Sequence, residues 1–133
     1  MGQAYGILTT LHNAVGGLAL LFVLAAVGLL LFTARTTSTG SALALRLSSI
    51  SVSLQATIGI LLVIIGLVIG NSAIWQFWYH YVIGIAAVGL VSVFAARARR
   101  APDDQARRYG LLMLLGLAAV LVNFLIGTLQ RGG

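Results

Sequence analysis

Long apolar runs alternate with short polar stretches along this chain. The first runs from about Ile7 to Phe32, and from Ala14 to Phe32 it contains no polar side chain. Three more follow, from about Leu47 to Gly70, Ile74 to Ala96 and Tyr109 to Leu129. A helix crosses the hydrocarbon core of a bilayer with about 20 predominantly apolar residues, and each run supplies that length. Open sheets leave edge groups unpaired in lipid, and these runs are too long and continuous for barrel strands. The pattern predicts an all-α integral membrane four-helix bundle in a single domain. Two connections are polar, a Thr/Ser/Gly-rich loop at Thr33–Ser41 and an arginine-rich one at Arg97–Arg108 that holds Pro102. The third, at Asn71–Ser72, is so short that helices 2 and 3 are expected to be antiparallel neighbours.

Composition agrees. Of 133 residues, 60% are hydrophobic and 8% charged, whereas a soluble domain carries about 25% charge. The net charge of +6 would suit a nucleic-acid binder, but its distribution suits a membrane protein and argues against nucleic acid. Arg35, Arg46, Arg97, Arg99, Arg100, Arg107 and Arg108 fall at one end of the predicted bundle and only Arg131 at the other. Positive charge marks cytoplasmic loops. The expectation is an integral protein of a prokaryotic plasma membrane, with both termini and the Asn71 loop outside and the Arg-rich loops cytoplasmic. The arginines would also attract anionic lipid. No cleaved signal peptide is expected, because no positive charge precedes the first run and that run exceeds a normal signal core.

What is missing narrows the chemistry. The only acids are Asp103 and Asp104, and there is no cysteine. No carboxylate lies inside a predicted span, which argues against proton-coupled transport and against paired-carboxylate or zinc-hydrolase mechanisms. Disulfides, thiolate metal sites, iron–sulfur clusters and c-type haem attachment are excluded.

The two histidines are the chief candidates. His12 is followed by Gly16 and Ala19, and His80 by Gly84 and Ala87. Positions i, i+4 and i+7 share one helical face, so a strip almost free of side chains runs inward from each imidazole. Small residues allow close helix packing; they also leave room for a flat macrocycle. Helices 1 and 3 run in the same direction, so both imidazoles fall in the outer half, where facing rings suit the axial ligation of a haem. The opposing reading makes each a hydrogen-bonded interfacial residue. One feature strains the haem reading: His12 precedes Arg35 by 23 residues and His80 precedes Arg97 by 17, a mismatch of about 9 Å at the helical rise.

Helix 2 carries Gln55, Gly59, Gly66 and Gly70, and helix 4 carries Gly116, Asn123 and Gly127. Gly66 and Gly70 form a GxxxG, usually a packing face, and Gln55 suits an interhelical hydrogen bond. An offset of 68 aligns His12 with His80 and Gly16 with Gly84, as in a duplicated two-helix unit. It also aligns Gln55 with Asn123 and Gly59 with Gly127, but Gln55 follows Arg46 by nine residues and Asn123 follows Arg108 by fifteen. Measured from those arginines the amides differ in depth and are not expected to be equivalent. Trp75, Phe77, Trp78, Tyr79 and Tyr81 crowd the outer end of helix 3, as in an interfacial aromatic belt; a quinone or pigment platform is the alternative.

Over residues 9–95 these features resemble one four-helix half of the haem A synthase family. His12-x-x-x-Gly16 is similar to its first motif, and Leu54-Gln55-Ala56-Thr57-Ile58-Gly59 with Val63 and Gly66 to its second. His80 falls where the third helix carries its histidine. The resemblance implies a b-type haem between helices 1 and 3, with His12 and His80 as iron ligands and Gly16, Gly84, Ala19, Ala87 and Gln55 around it. It does not imply the family's catalysis. Thr9 stands where the family has a Glu and Asn13 where it has an Arg, and the outer-loop cysteines and second half are absent. Without that Arg, the haem propionates would rely on Gln3, Asn71, Gln76, Tyr79 or Arg131.

Three functions are weighed. The first is a b-type haem protein serving electron transfer in a larger membrane complex, with quinone or another protein as partner. The second is a cofactor-free structural subunit of a respiratory or photosynthetic complex. The third is a chlorophyll-binding protein in which each histidine holds a separate pigment. A transporter or channel has less support, since no charge lines a path and no span has a proline break.

Overall fold

The computed structural model describes residues 2–129. Four helices carry the chain: α1 (Gly2–Phe32), α2 (Thr39–Val68), α3 (Trp78–Ala98) and α4 (Ala106–Leu129). Short 3-10 turns at Ser72–Phe77 and Asp103–Gln105 precede α3 and α4. No strand occurs among the described residues, and four helical segments are long and apolar enough to cross a membrane. The helices form a ring in which each packs on its sequence neighbours and α1 closes against α4. α1 and α3 therefore stand on one diagonal, α2 and α4 on the other. The α2–α3 pair packs least closely of the four neighbouring pairs.

Helix ends follow from local chemistry. α2 begins inside the stretch expected to be loop, because the Ser38 hydroxyl accepts from the Ser41 amide at 3.2 Å and caps the first turn. It ends at a Schellman motif: Asn71 N–H donates to the Gly66 carbonyl at 2.9 Å and Gly70 N–H to that of Leu67 at 3.1 Å. Gly70 has φ +70°, a conformation costly for any residue with a Cβ. This corrects the GxxxG expectation. Gly70 terminates α2 and a Cβ there would touch nothing within 4 Å; only Gly66 packs, against Ile74 and Tyr5.

The loops at the Arg-rich end are tied by one carboxylate. Asp103 Oδ1 accepts from the amides of Thr36 and Thr37 at 2.7 and 2.9 Å and from both hydroxyls at 3.0 Å. Thr36 Oγ1 also donates to the Ala101 carbonyl at 2.7 Å. The Thr37 amide and hydroxyl first, then those of Thr36, hold the Asp103 carboxyl well below its usual range, at about 2. Arg99 reaches back to α2, donating to the Leu45 carbonyl at 3.3 Å and Ser49 Oγ at 3.4 Å.

The two halves of the bundle differ in packing. Toward the Arg-rich end Val23, Leu30, Leu45, Val91 and Met113 are fully enclosed. α4 approaches its neighbours at glycine: a Cβ on Gly116 would lie 2.8 Å from Val91 Cγ2, and one on Gly110 2.7 Å from Leu31 Cδ2. Buried Ser48 and Ser51 satisfy their hydroxyls on carbonyls three residues back, at 2.9 and 3.1 Å. Toward the other end this packing gives way to a cavity.

Candidate functional site

The cavity has a volume of about 550 Å³ and lies among all four helices, within the size range of cofactor sites. Its walls include both histidines and both small-residue strips: His12, Gly16 and Ala19 on α1, and His80, Gly84 and Ala87 on α3. Gln55 lines it too, with Asn13 and Asn123. Ala19 and Ala87 are buried and mark where the cavity meets the closed core. His12, Gly16, Ala19, Gln55, His80, Gly84 and Ala87 thus border one space, whereas Gln3, Asn71, Gln76 and Tyr79, the propionate candidates among the described residues, do not line it.

The imidazoles meet across it. Their ring centres are 6.1 Å apart and their planes cross at 68°. The expected depth mismatch does not arise, because depth is set by helix ends and not by arginines. His12 lies 20 residues before Phe32, the end of α1, and His80 lies 18 before Ala98, the end of α3. Arg35 stands beyond its helix; Arg97 stands within one.

The same measure corrects the expectation for the amides. Gln55 lies 16 residues into α2 and Asn123 lies 17 into α4, so they stand at matching depth. The contacts match as well. A Cβ on Gly59 would lie 3.1 Å from His12 Cε1, and one on Gly127 3.2 Å from His80 Cε1. A Cβ on Gly16 would lie 3.0 Å from Gln55 Nε2, and one on Gly84 3.2 Å from Asn123 Nδ2. Each hairpin, α1–α2 or α3–α4, repeats one interlock in which histidine faces a glycine of the next helix and its own i+4 glycine faces that helix's amide. Asn123 and Gly127 belong to the site, and the offset of 68 was the signal for them.

Gln55 Nε2 lies 3.0 Å from His12 Nε2. With the Gln55 amide oriented this way, its N–H₂ donates to His12 Nε2. That hydrogen bond occupies the Nε2 lone pair, so a metal ion at this nitrogen would displace the amide. Buried Gln55 Oε1, His80 Nδ1 and Asn123 Oδ1 have no hydrogen-bond partner among the described residues. Such atoms are costly to bury unsatisfied, and here they border a cavity.

The donor set discriminates between metals. No group of three or more His, Cys, Asp or Glu side chains converges among the described residues, so no tetrahedral protein site of the zinc type exists there. A metal–imidazole bond is about 2 Å long and the ring centre lies about 1 Å beyond the nitrogen, so imidazoles on opposite sides of one ion stand about 6 Å apart. The observed separation suits a single ion whose other donors come from a ligand such as a macrocycle. Gly59 and Gly127 let the rings pack directly against α2 and α4, and Gly16 and Gly84 do the same for the Gln55 and Asn123 amides. The residues fit a haem.

The remaining candidates divide. Thr9 donates its hydroxyl to the Tyr5 carbonyl at 2.7 Å and lines the cavity without supplying an acid. Trp75, Trp78 and Tyr79 are exposed on the bundle's flank. Phe77 and Tyr81 turn to the cavity, and Tyr81 donates to the Ile74 carbonyl at 3.0 Å. Asn71 caps the turn before α3 by accepting from the Ala73 amide at 3.1 Å. Arg131 lies outside the described residues. No family model, curated protein or solved structure matches this chain.

Proposed function

We propose that this chain is a membrane b-type haem protein, an electron carrier or haem-bearing subunit of a larger membrane complex. One haem would stand between α1 and α3, and His12 and His80 are the residues that would hold its iron. The observation that carries this reading is the 6.1 Å between the two ring centres in a cavity where no third strong ligand converges among the described residues.

The chain's own residues would hold and tune the group. Gln55 would give up its hydrogen bond to His12 Nε2 for that nitrogen to hold iron, and the Gly59 and Gly127 contacts fix where each ring can sit. Apolar walls exclude water and lower the local dielectric, both of which influence a haem's potential. When bound, haem supplies a reversible one-electron iron couple. Quinol at the membrane interface or a protein outside it is the proposed partner.

The same separation weighs against the alternatives. Two pigments stacked face to face between the rings would add a van der Waals gap of about 3.5 Å beyond what a single ion needs. A quinone bridging the rings through both carbonyls would need two hydrogen bonds of about 2.8 Å in addition to its own length. A cofactor-free structural subunit accounts for the Gln55–His12 hydrogen bond but leaves the cavity without an occupant.

The test is a reduced-minus-oxidised spectrum of the purified protein after haem-replete expression. A low-spin signal abolished by His12→Ala and equally by His80→Ala is expected. A colourless protein, or a spectrum indifferent to both changes, would overturn the reading.

A further inference from the structure

The two hairpins share their glycine contacts to the imidazoles, and they differ at one seam. Phe124 of α4 lies against α1: its Cδ2 would be 3.5 Å from a Cβ on Gly16, and its Cε2 3.9 Å from one on Gly17. The ring covers both glycines and fills the α1–α4 seam beside the cavity. Shifted by 68, the counterpart of Phe124 is Ala56, and Gly16 and Gly17 become Gly84 and Ile85. The α2–α3 seam therefore has a methyl group where its counterpart has a phenyl ring. It is also the least closely packed contact between neighbouring helices.

Side chains along that seam border the cavity and the outer surface of the bundle at once. Ile60 and Ile85 both line the cavity, yet are 61% and 73% exposed. They stand at similar depth, Ile60 eight residues before the end of α2 and Ile85 seven after the start of α3. Ile64, one turn further along α2, also lines the cavity and is 51% exposed.

We propose that the cavity opens sideways to the bilayer through the α2–α3 seam beside Ala56, and that this opening admits the flat, lipophilic macrocycle of the reading above, on which the proposal rests. The side chains between cavity and surface there are the exposed Ile60, Ile64 and Ile85. Passage through the opposite seam would have to dislodge an aromatic ring packed on two glycines. Ala56 and Phe124 together make the α2–α3 seam the more open of these two matching seams.

The experiment uses apo-protein in liposomes with hemin dissolved in the same bilayer. The rate at which the His-dependent absorption appears is normalised to its final amplitude. Ala56→Phe should slow loading about tenfold, the milder Ala56→Leu should slow it less, and Phe124→Ala should load at least as fast as the unaltered chain. A second readout needs no haem. A bilayer-dissolved aryl diazirine is photolysed with the apo-protein, and its insertion at Val52 and Ala87 is mapped by mass spectrometry. Both residues line the cavity and are otherwise buried. Their labelling should persist in Phe124→Ala and disappear in Ala56→Phe. Wild-type loading in Ala56→Phe, or undiminished labelling, overturns the side entrance. If no variant shows a His-dependent spectrum, the haem reading fails alone, and the diazirine result still decides the seam.

Discussion

His12 and His80, 68 positions apart in the chain, stand on diagonally opposed helices with ring centres 6.1 Å apart. Neither helix brings this about alone. Each ring rests over a glycine of the neighbouring helix, Gly59 for His12 and Gly127 for His80, so the diagonal pair is positioned by the other diagonal.

Those two glycines are the sharpest place to perturb the pair. Gly59→Ala and Gly127→Ala each put a methyl group 3.1–3.2 Å from an imidazole Cε1, too near for the ring to stay where it is. Each should weaken hemin binding and shift the absorption maximum in a hemin titration. Gly89→Ala is the control. A Cβ there meets nothing within 4 Å, so the change should leave the titration alone and raise helix stability by about 0.5–1 kcal/mol.

Gln55→Leu removes the donor to His12 Nε2 while keeping similar bulk. Interhelical hydrogen bonds in membrane proteins contribute about 0.6 kcal/mol on average, so the expected loss of stability is small, on the order of 1 kcal/mol. Thermal unfolding in detergent measures it. Asn123→Leu removes an amide that packs on Gly84 and makes no side-chain hydrogen bond to His80 among the described residues, so it should cost less; a loss as large as that of Gln55→Leu would contradict this difference between the hairpins.

Gly116→Ala should destabilise the closed half of the bundle without touching the cavity. Its Cβ would lie 2.8 Å from Val91 Cγ2 and 3.4 Å from the Val91 backbone nitrogen, and overpacking of this kind costs about 1–3 kcal/mol. The midpoint of SDS-induced unfolding should fall.

Asp103 makes the clamp at the Arg-rich end depend on pH. Its carboxyl is lowered from 3.8 to about 2 by hydrogen bonds from Thr37 and Thr36. The folded state therefore binds this proton less readily than the unfolded state. Its stabilising contribution is complete above pH 4 and is lost as pH falls toward 2. The protection of the Thr36 and Thr37 amides against hydrogen exchange, relative to the intrinsic rate at each pH, should fall over that window. In Asp103→Asn it should already be lower at neutral pH.

The polarity pattern alone was enough for four helices and their order, because a span must satisfy its backbone internally and needs a minimum apolar length. It was also enough for the two His–Gly–Ala strips, because a shared helical face follows from spacing. Depth was misjudged where arginines served as its marker. Arg46 lies within α2 and Arg35 beyond α1, and the true ends depend on the Ser38 cap and the Gly70 turn. Gly70 illustrates the same limit: as a string it looks like half of a packing motif, and as a backbone it is a left-handed stop.

What only the tertiary structure decided is which apolar side chain meets which. In a chain apolar on every face, no amphipathic stripe separates core from lipid surface, and helix association rests on packing shape instead of burial. Leu, Val, Ile and Ala are nearly interchangeable in a polarity pattern and not at all in shape. The closed half at Gly110 and Gly116, the matched Gln55 and Asn123 interlocks, and the contrast between Phe124 and Ala56 at opposite seams are all matters of shape. The sequence by itself determined the helices and the two imidazoles; the packing of small against large side chains decided that the imidazoles face each other across a cavity.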